Sequence, residues 1–366
     1  MKKFLAFLLV ATMMIPTTVF ADTDKTVQVP RLEFTQIEEE VSTYNAQYRK
    51  IEDSFDDVNN SVHSGSQAIK AAEDAISDLQ QRYIADHVSG ADPTLDEAIL
   101  ALLESQKRTL SSQMGSLPDV QNLKQQGDKG KDQIVAGVQS LFISYNSIGR
   151  QLEELRASMT LLETQMEVMK IRVELGMDSQ LNLDATEYNF KTLYASTQAL
   201  QNTHDNLKHQ LNLAFAQEYD AEIEIGENPR VEAEEIALID VASDFLEAQN
   251  NSYDIESSKD EYDYVLGDAY RQFENSFYEL YENVKTKQRA LEAEELNLKT
   301  AKINSEILEL RNKLGIVSSI QYEQEKMQYQ TVQNKYATVQ DELFIAYNNY
   351  QWAKKGLILG NSLATR

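Results

Sequence analysis

The sequence contains few residues whose types and spacing could do chemistry. Its 366 residues include no cysteine, which excludes thiol catalysis, disulfide bonds and zinc–thiolate sites, and only four histidines. His204 and His209 lie five residues apart, a spacing that does not place two metal ligands on one face of a helix. No nucleophile–base pair or phosphate-binding loop stands out. We therefore expect a protein that is not an enzyme and that holds neither a cofactor nor a metal.

Other candidate ligands and charges also have simpler explanations. Met159, Met166 and Met169 could bind a soft metal, but they fall in a helical apolar seam, which favours core packing. His204 falls on a similar seam, which favours a buried or interface position. The 59 acidic residues outnumber the 34 basic ones and give a net charge of −25. This balance argues against binding nucleic acid or anionic lipid through charge, because both are polyanions.

Residues 1–21 have the organisation of a secretory signal peptide. Lys2 and Lys3 form its charged start, Phe4 to Ile15 its apolar stretch, and Val19-Phe20-Ala21 its cleavage site. The apolar stretch is too short for a membrane-spanning helix, which needs about 20 apolar residues. We therefore expect the mature protein, residues 22–366, to act outside the cytoplasm.

Glycine and proline are scarce, which predicts long uninterrupted helices. The chain has 13 glycines and 5 prolines. Gly176 is the only glycine in residues 151–225, and Gly315 is the only one in residues 268–355. A single glycine commonly ends a helix. The sequence thus predicts an all-α fold of long antiparallel helical hairpins, with little or no β structure.

The first long tract carries a strict apolar seam whose members are alternately four and three residues apart. This spacing, held over 40 residues, predicts coiled-coil packing against a partner helix. The seam consists of Ile134, Val138, Leu141, Tyr145, Ile148, Leu152, Leu155, Met159, Leu162, Met166, Met169 and Val173.

The chain contains an internal repeat with an offset of 139 residues. The seam resumes after Gly176, from Leu183 to Ala214, and the same register returns after Gly315, from Tyr322 to Ala353. A repeat of this length indicates two copies of one helical unit. We predict a first repeat over residues 22–217 with a helical insert at about 61–127, a linker over 218–232 that includes a brief strand, and a second repeat over 233–366.

Two tandem helical hairpins behind a signal peptide, each turning at an Arg-x-x-Leu-Gly-x-x-Ser element, resemble the TolC-type outer-membrane efflux family. The resemblance implies a homotrimer in which twelve long helices form a hollow cylinder. It also implies that the Leu-Gly turns lie at the tip, where a periplasmic-adaptor-type protein docks and connects the tube to an inner-membrane pump. The turn residues are Arg172, Leu175, Gly176 and Ser179 in the first repeat and Arg311, Leu314, Gly315 and Ser318 in the second.

The sequence departs from that family in one respect. Family members insert a pair of membrane strands in each repeat, but the corresponding stretch from Tyr262 to Phe273 has no room for two strands of about 9–11 residues. The insert of the first repeat is helical in pattern. We therefore expect a location in the cell envelope without membrane strands of this kind.

Two alternatives stay open on the sequence alone. The chain could be a secreted coiled-coil scaffold that binds cell-wall or surface partners without transport. Arg172 and Arg311 could dock an adaptor, or they could stabilise the carboxyl ends of their helices by charge.

Overall fold

A computed structural model describes residues 31–86, 93–259 and 261–359 of the chain. The predicted signal peptide, residues 1–21, lies outside the described residues. The strands are β1 (Arg31–Leu32) and β2 (Glu224–Ile225), and a 3₁₀ turn covers Phe34–Gln36. The helices are α1 (Ile37–Tyr44), α2 (Ala46–Asp86), α3 (Pro93–Gly115), α4 (Val120–Glu174), α5 (Gln180–Ala214), α6 (Ala233–Ala237), α7 (Val241–Asn251), α8 (Tyr253–Glu256), α9 (Asp263–Lys313) and α10 (Ser319–Lys354).

Two long antiparallel hairpins dominate the molecule, which confirms the all-α prediction. The first pairs α4 with α5, and the second pairs α9 with α10. With 55 and 51 residues, α4 and α9 are each roughly 80 Å long at 1.5 Å per residue. The described residues contain no strand besides β1 and β2, which pair in parallel, and β2 lies within residues 218–232.

The two hairpins pack together through α4 and α10, which run antiparallel. Gln139 of α4 accepts hydrogen bonds from Asn348 Nδ2 (3.1 Å) and Trp352 Nε1 (2.8 Å) of α10. Further along the helices, Arg150 forms an ion pair with Asp341. Arg150 lies 26 residues before Gly176, and Asp341 lies 26 residues after Gly315. Both turns therefore lie at the same end of the molecule, which we call the tip.

The apolar core lies at the opposite end from the tip. Phe34 packs edge-to-face against Phe142 and Phe344, with ring centroids 5.7 and 4.8 Å apart. A second cluster surrounds the fully buried rings of Phe277 and Tyr350. These clusters hold the ends of the four long helices together, so the hairpins extend from them toward the tip.

Beyond the core, α2 and α3 form an extension that we call the arm, together with the first turns of α4. The Ile51 side chain of α2 lies over Gly127 and Gly130 of α4, and Leu117 lies next to Gly65. The distal half of α2 then packs along α3. The arm contains the described part of the predicted insert, residues 61–127, of which residues 87–92 lie outside the described ranges. No residue between 46 and 134 whose side chain the structure describes is buried.

No helix within the described ranges is long and apolar enough to cross a membrane.

Candidate docking site at the hairpin turns

The two hairpins turn through the same backbone motif, and each motif needs its glycine. Gly176 and Gly315 have φ angles of +71° and +69°, which L-residues with a side chain rarely adopt. The N–H of Gly176 donates to the Val173 carbonyl (2.9 Å), and the next N–H donates to the Arg172 carbonyl (2.7 Å). The bonds at Gly315 are equivalent, each 2.9 Å long. This pair of bonds is the Schellman ending of a helix, and it satisfies carbonyls that would otherwise lack partners.

The serines of the motif start the return helices. Ser179 Oγ accepts a hydrogen bond from the N–H of Asn182 (3.3 Å), and Ser318 Oγ accepts one from the N–H of Gln321 (3.2 Å). Serine is favoured at this position because its oxygen satisfies an N–H group that the first helical turn leaves unpaired. The glycine and serine of each element thus have a local role in building the turn.

The two turns differ in charge. The Asp178 carboxylate accepts hydrogen bonds from the Asn182 side chain (2.7 Å) and from the Ser179 N–H (2.8 Å), and these bonds lower the pKa of Asp178. The Arg172 guanidinium lies 3.7 Å from the same carboxylate. The second turn has Val317 at the equivalent position, and its side chain is buried. The first turn therefore carries a carboxylate at the position where the second turn has a buried valine.

Large apolar side chains are exposed at both turns. Their exposed fractions lie between 63% and 75%, so none of them packs within the chain. A cluster of exposed apolar residues typically marks a surface that binds another protein. The residues are Leu175, Met177 and Leu181 in the first turn and Leu314 and Ile316 in the second.

Each long ascending helix also carries a second seam that the sequence analysis missed. In α4 and the residue that follows it, the seam consists of Ala157, Leu161, Thr164, Val168, Ile171 and Leu175. In α9 and the residue that follows it, the seam consists of Leu296, Thr300, Ile303, Ile307, Leu310 and Leu314. The members of both seams are alternately four and three residues apart, and each α9 member lies 139 residues after its α4 counterpart. The first four α4 members are half-buried, whereas every α9 member is exposed. One copy of this seam is thus covered, and the other is not.

The return helices show the complementary difference. In α10, Ile320 and Met327 are half-buried and lie in line with Asp341, at multiples of seven residues from it. Their counterparts in α5, Leu181 and Tyr188, are 75% and 70% exposed. The face of α10 that packs on α4 therefore has an equivalent face on α5 that is uncovered.

The methionines on the seam pack in the interior of the first hairpin. Met159 Sδ accepts a hydrogen bond from Thr197 (3.4 Å), and Met169 Sδ accepts one from Thr186 (3.5 Å). Across the described residues, no group of His, Asp or Glu side chains is arranged to hold a metal ion.

His204 occupies a half-buried position on the seam between α4 and α5. Its ring stacks on Tyr145 with centroids 4.0 Å apart, and Gly149 leaves space for it. Burial lowers the pKa of His204, although the neighbouring Asp205 opposes that shift.

Comparison with known proteins gives distant structural similarities. No protein-family model and no curated protein sequence matches the chain. The chain is similar to a membrane protein from Pseudomonas aeruginosa (11% identity, 91% of this chain and 92% of that one, TM-score 0.45). It is also similar to the outer-membrane channel OprN (9% identity, 88% and 89%, TM-score 0.47) and to CusC, which is described with transmembrane channel formation (9% identity, 88% and 95%, TM-score 0.49). None of these similarities assigns a function to this chain.

Proposed function

We propose that this protein is a TolC-like component of a multi-part efflux or secretion system in the cell envelope. Three copies would form a helical duct, and the Leu-Gly turns at its tip would dock a periplasmic-adaptor-type protein connected to an inner-membrane pump. One observation carries the proposal. The faces of α4 and α10 that pack together within the chain have counterparts on α9 and α5, and those counterparts are exposed.

The internal repeat predicts how a second copy would bind. By the 139-residue offset, α9 is the counterpart of α4 and α5 is the counterpart of α10. The α4–α10 contact within one chain therefore has an equivalent contact between α9 of one copy and α5 of the next. Both of those faces carry exposed apolar residues, among them Ile307 on α9 and Tyr188 on α5. Burying them would stabilise the assembly by the hydrophobic effect.

The ion pair between the hairpins fixes the expected register. The counterparts of Arg150 and Asp341 are Arg289 and Asn202. Arg150 is half-buried and Asp341 is buried, whereas Arg289 and Asn202 are both exposed. In the assembly, Arg289 of one copy should therefore lie opposite Asn202 of the next.

A contact between two different faces of the same chain repeats from copy to copy. It forms a closed ring when the rotation per copy divides a full turn, and an open filament otherwise. Three copies would place six hairpins, and hence twelve long helices, around the ring. All six turns would then lie at one end, because the two turns of each chain lie together at its tip.

The turns remain available for a partner in this assembly. Leu175 and Leu314 protrude at the ends of their helices, beyond the part of each seam that lies between hairpins. An apolar seam of this spacing fits the seam of another α-helix. A partner that presents an α-helix would therefore fit this end of the ring.

Cysteine cross-linking tests the ring directly, because the natural chain has no cysteine. The double variant Asn202→Cys, Arg289→Cys of residues 22–366 should form disulfide bonds between copies upon mild oxidation and migrate as a trimer on a denaturing gel. Each single variant alone is the matched control and should not form that trimer. Light scattering and negative-stain imaging of the unmodified protein should show a hollow trimeric particle.

A protein that stays monomeric at high concentration and does not cross-link would refute the duct. The secreted scaffold would then be the better description, because a scaffold needs no ring.

A second test addresses the docking role of the tip. Replacing Leu175 and Leu314 by Glu changes only exposed side chains, so helicity and assembly should stay intact. Calorimetry should show that a purified adaptor-type protein from the same cells binds the unmodified protein and no longer binds this double variant. Replacing Gly176 and Gly315 by valine should also abolish binding, because valine does not tolerate a positive φ angle. Unchanged binding in both double variants would contradict the docking role.

A further inference from the structure

Each long helix has a row of residues on either side of the seam that it shares with its hairpin partner. The members of a row are seven residues apart, and at 3.5 residues per turn the two rows next to a seam lie about 77° from its centre. Arg156 of α4 donates a hydrogen bond to Gln201 of α5 (2.6 Å), so the rows of these two residues lie on one side of the first hairpin. The rows that include Ser144 in α4 and Asn182 in α5 therefore lie on the other side.

Two observations indicate which side of the hairpin would face the axis of the proposed ring. The two seams of α4 lie about 154° apart on the Ser144 side and about 206° apart on the Arg156 side. Helices in a closed ring make the smaller angle toward the axis, and a ring of twelve requires about 150°. In addition, Phe142, which belongs to the row of Arg156, is buried against Phe34, so the short elements of the core pack on that side. The Ser144 side therefore faces inward, and we call its rows and their counterparts in α9 and α10 the inner rows.

The inner rows consist largely of uncharged residues that form hydrogen bonds. Over residues 144–165 the inner row of α4 is Ser, Gln, Ser and Gln, and its counterpart in α9, over residues 283–304, is Asn, Ala, Asn and Asn. Over residues 182–210 the inner row of α5 is Asn, Asn, Ser, Thr and Gln. The wider, outer side of α9 holds two rows, and every member of these rows over residues 292–313 is charged. The two sides of the hairpins thus differ in chemistry.

The charges of the inner rows are few and are offset by neighbouring charges. The charged members are Arg172, Arg311, Lys335 and Glu342. Arg172 lies 3.7 Å from the Asp178 carboxylate, and Glu342 accepts a hydrogen bond from Lys287 Nζ (2.9 Å). The other two basic residues are offset by glutamates at adjoining seam positions, so the inward side carries no large excess of either charge. These glutamates are Glu154, Glu279, Glu294 and Glu325.

We propose that the inner rows line the duct and that the duct passes polar solutes of either charge. This inference rests on the proposed ring. A pore whose wall carries rings of one charge favours ions of the opposite charge. A wall of amide and hydroxyl groups forms hydrogen bonds with water and with solutes but repels neither anions nor cations. The acidic composition of the whole chain therefore does not make this duct selective for cations.

Single-cysteine variants of the full mature chain test which side faces inward. Ser158 lies in an inner row and Thr160 in an outer row, and each hydroxyl donates a hydrogen bond to the carbonyl four residues earlier (3.0 and 3.1 Å). Ser158→Cys and Thr160→Cys are therefore a matched pair. Twelve helices about 10 Å apart enclose a lumen roughly 30 Å wide. Relative to N-ethylmaleimide, a maleimide carried on a polyethylene glycol wider than that lumen should label Ser158→Cys at least about ten times more slowly than Thr160→Cys.

Two methanethiosulfonate reagents, one carrying a sulfonate and the other a trimethylammonium group, test the charge of the wall. At low ionic strength, the ratio of their rates at Ser158→Cys should lie within about threefold of the ratio measured with 2-mercaptoethanol in solution. A preference above about tenfold for the cationic reagent would show an acidic wall, and one for the anionic reagent a basic wall. Either preference would refute the proposal.

The Asn202→Cys, Arg289→Cys variant tests the ring separately from its lining. If that pair cross-links but the polymer labels Ser158→Cys and Thr160→Cys equally, the ring stands and the inward side is wrong. If the pair does not cross-link, the duct fails and the proposed lining fails with it.

Discussion

The hydrogen bonds of Gln139 allow a sharp test of the contact between the two hairpins. Its Oε1 accepts from Trp352 Nε1 and from Asn348 Nδ2, and Gln139 is only 7% exposed. Replacing Gln139 by methionine keeps the length of the side chain but removes the oxygen. The Trp352 N–H, which is buried, then loses its partner at a cost of about 1–3 kcal/mol, and the half-buried Asn348 amide adds up to about 1 kcal/mol. We expect Gln139→Met to lower the free energy of unfolding by about 1–4 kcal/mol.

Trp352 is also the only tryptophan of the chain, so its fluorescence reports on the surroundings of this contact. Urea unfolding followed by Trp352 emission should show the loss in Gln139→Met, while far-ultraviolet circular dichroism should show native helicity at low urea. As a control, Trp352→Phe removes the donor instead of the acceptor. Because it also removes the only tryptophan, the urea unfolding of this variant and of the double variant is followed by circular dichroism. In the double variant the two losses should not add, because the second change removes a group that the first had left unpaired. A loss below about 0.5 kcal/mol in Gln139→Met, or full additivity in the double variant, would refute the reasoning.

Three further predictions concern the helix ends, the seam and the ion pair. Ala216, just after α5, has a φ angle of +52°, so Ala216→Gly should raise the free energy of unfolding by about 0.5–1 kcal/mol. Gly356→Ala should lower the free energy of unfolding by more than that amount, because a Cβ there would overlap a backbone oxygen at the end of α7. Urea unfolding measures both changes, and changes of equal size would contradict this account. Burial lowers the pKa of His204 below its usual 6.5, so the contribution of its neutral ring to the free energy of unfolding is present above that pH and is lost as the pH falls. Between pH 7.5 and 5.5, the protein should therefore lose more free energy of unfolding than a His204→Phe variant. Equal losses in the two proteins would disprove the assignment. Arg150→Ala leaves Asp341 buried without its partner and should lower the free energy of unfolding by about 2–3 kcal/mol, less than the loss of a fully buried pair. Adding Asp341→Ala should restore part of this free energy in the same urea assay. No recovery in the double variant would argue against the ion pair.

The sequence alone predicted the features of this protein that depend on local physics. The scarcity of glycine and proline indicated long helices, since little in those tracts breaks a helix. The apolar seam from Ile134 to Val173 indicated packing against a neighbouring helix, and α4 and α5 do pack together. Gly176 and Gly315 were identified as turns, because a positive φ angle next to a helix is a property of one residue and its neighbours.

The second seam is not evident from the sequence because its residues are only weakly apolar in the first repeat. Ala157 and Thr164 stand in α4 where α9 has Leu296 and Ile303, so the apolar pattern is clear in only one copy. Gln139 escaped for a different reason. A polar residue in a helix is expected to face solvent unless its hydrogen-bond partners are known. The donors to Gln139, which belong to Asn348 and Trp352, lie more than 200 residues further along the chain.

Only the tertiary structure decided which helix covers which face. Periodicity indicates that a face is apolar, but the same spacing fits any helix of matching register. The contact between α4 and α10 covers one seam and leaves its counterpart on α9 exposed, and this difference between repeated sequences carries the proposed assembly. Helices and turns follow from residues close together in the chain, whereas the choice of neighbour depends on free energies of packing that are shared between distant segments.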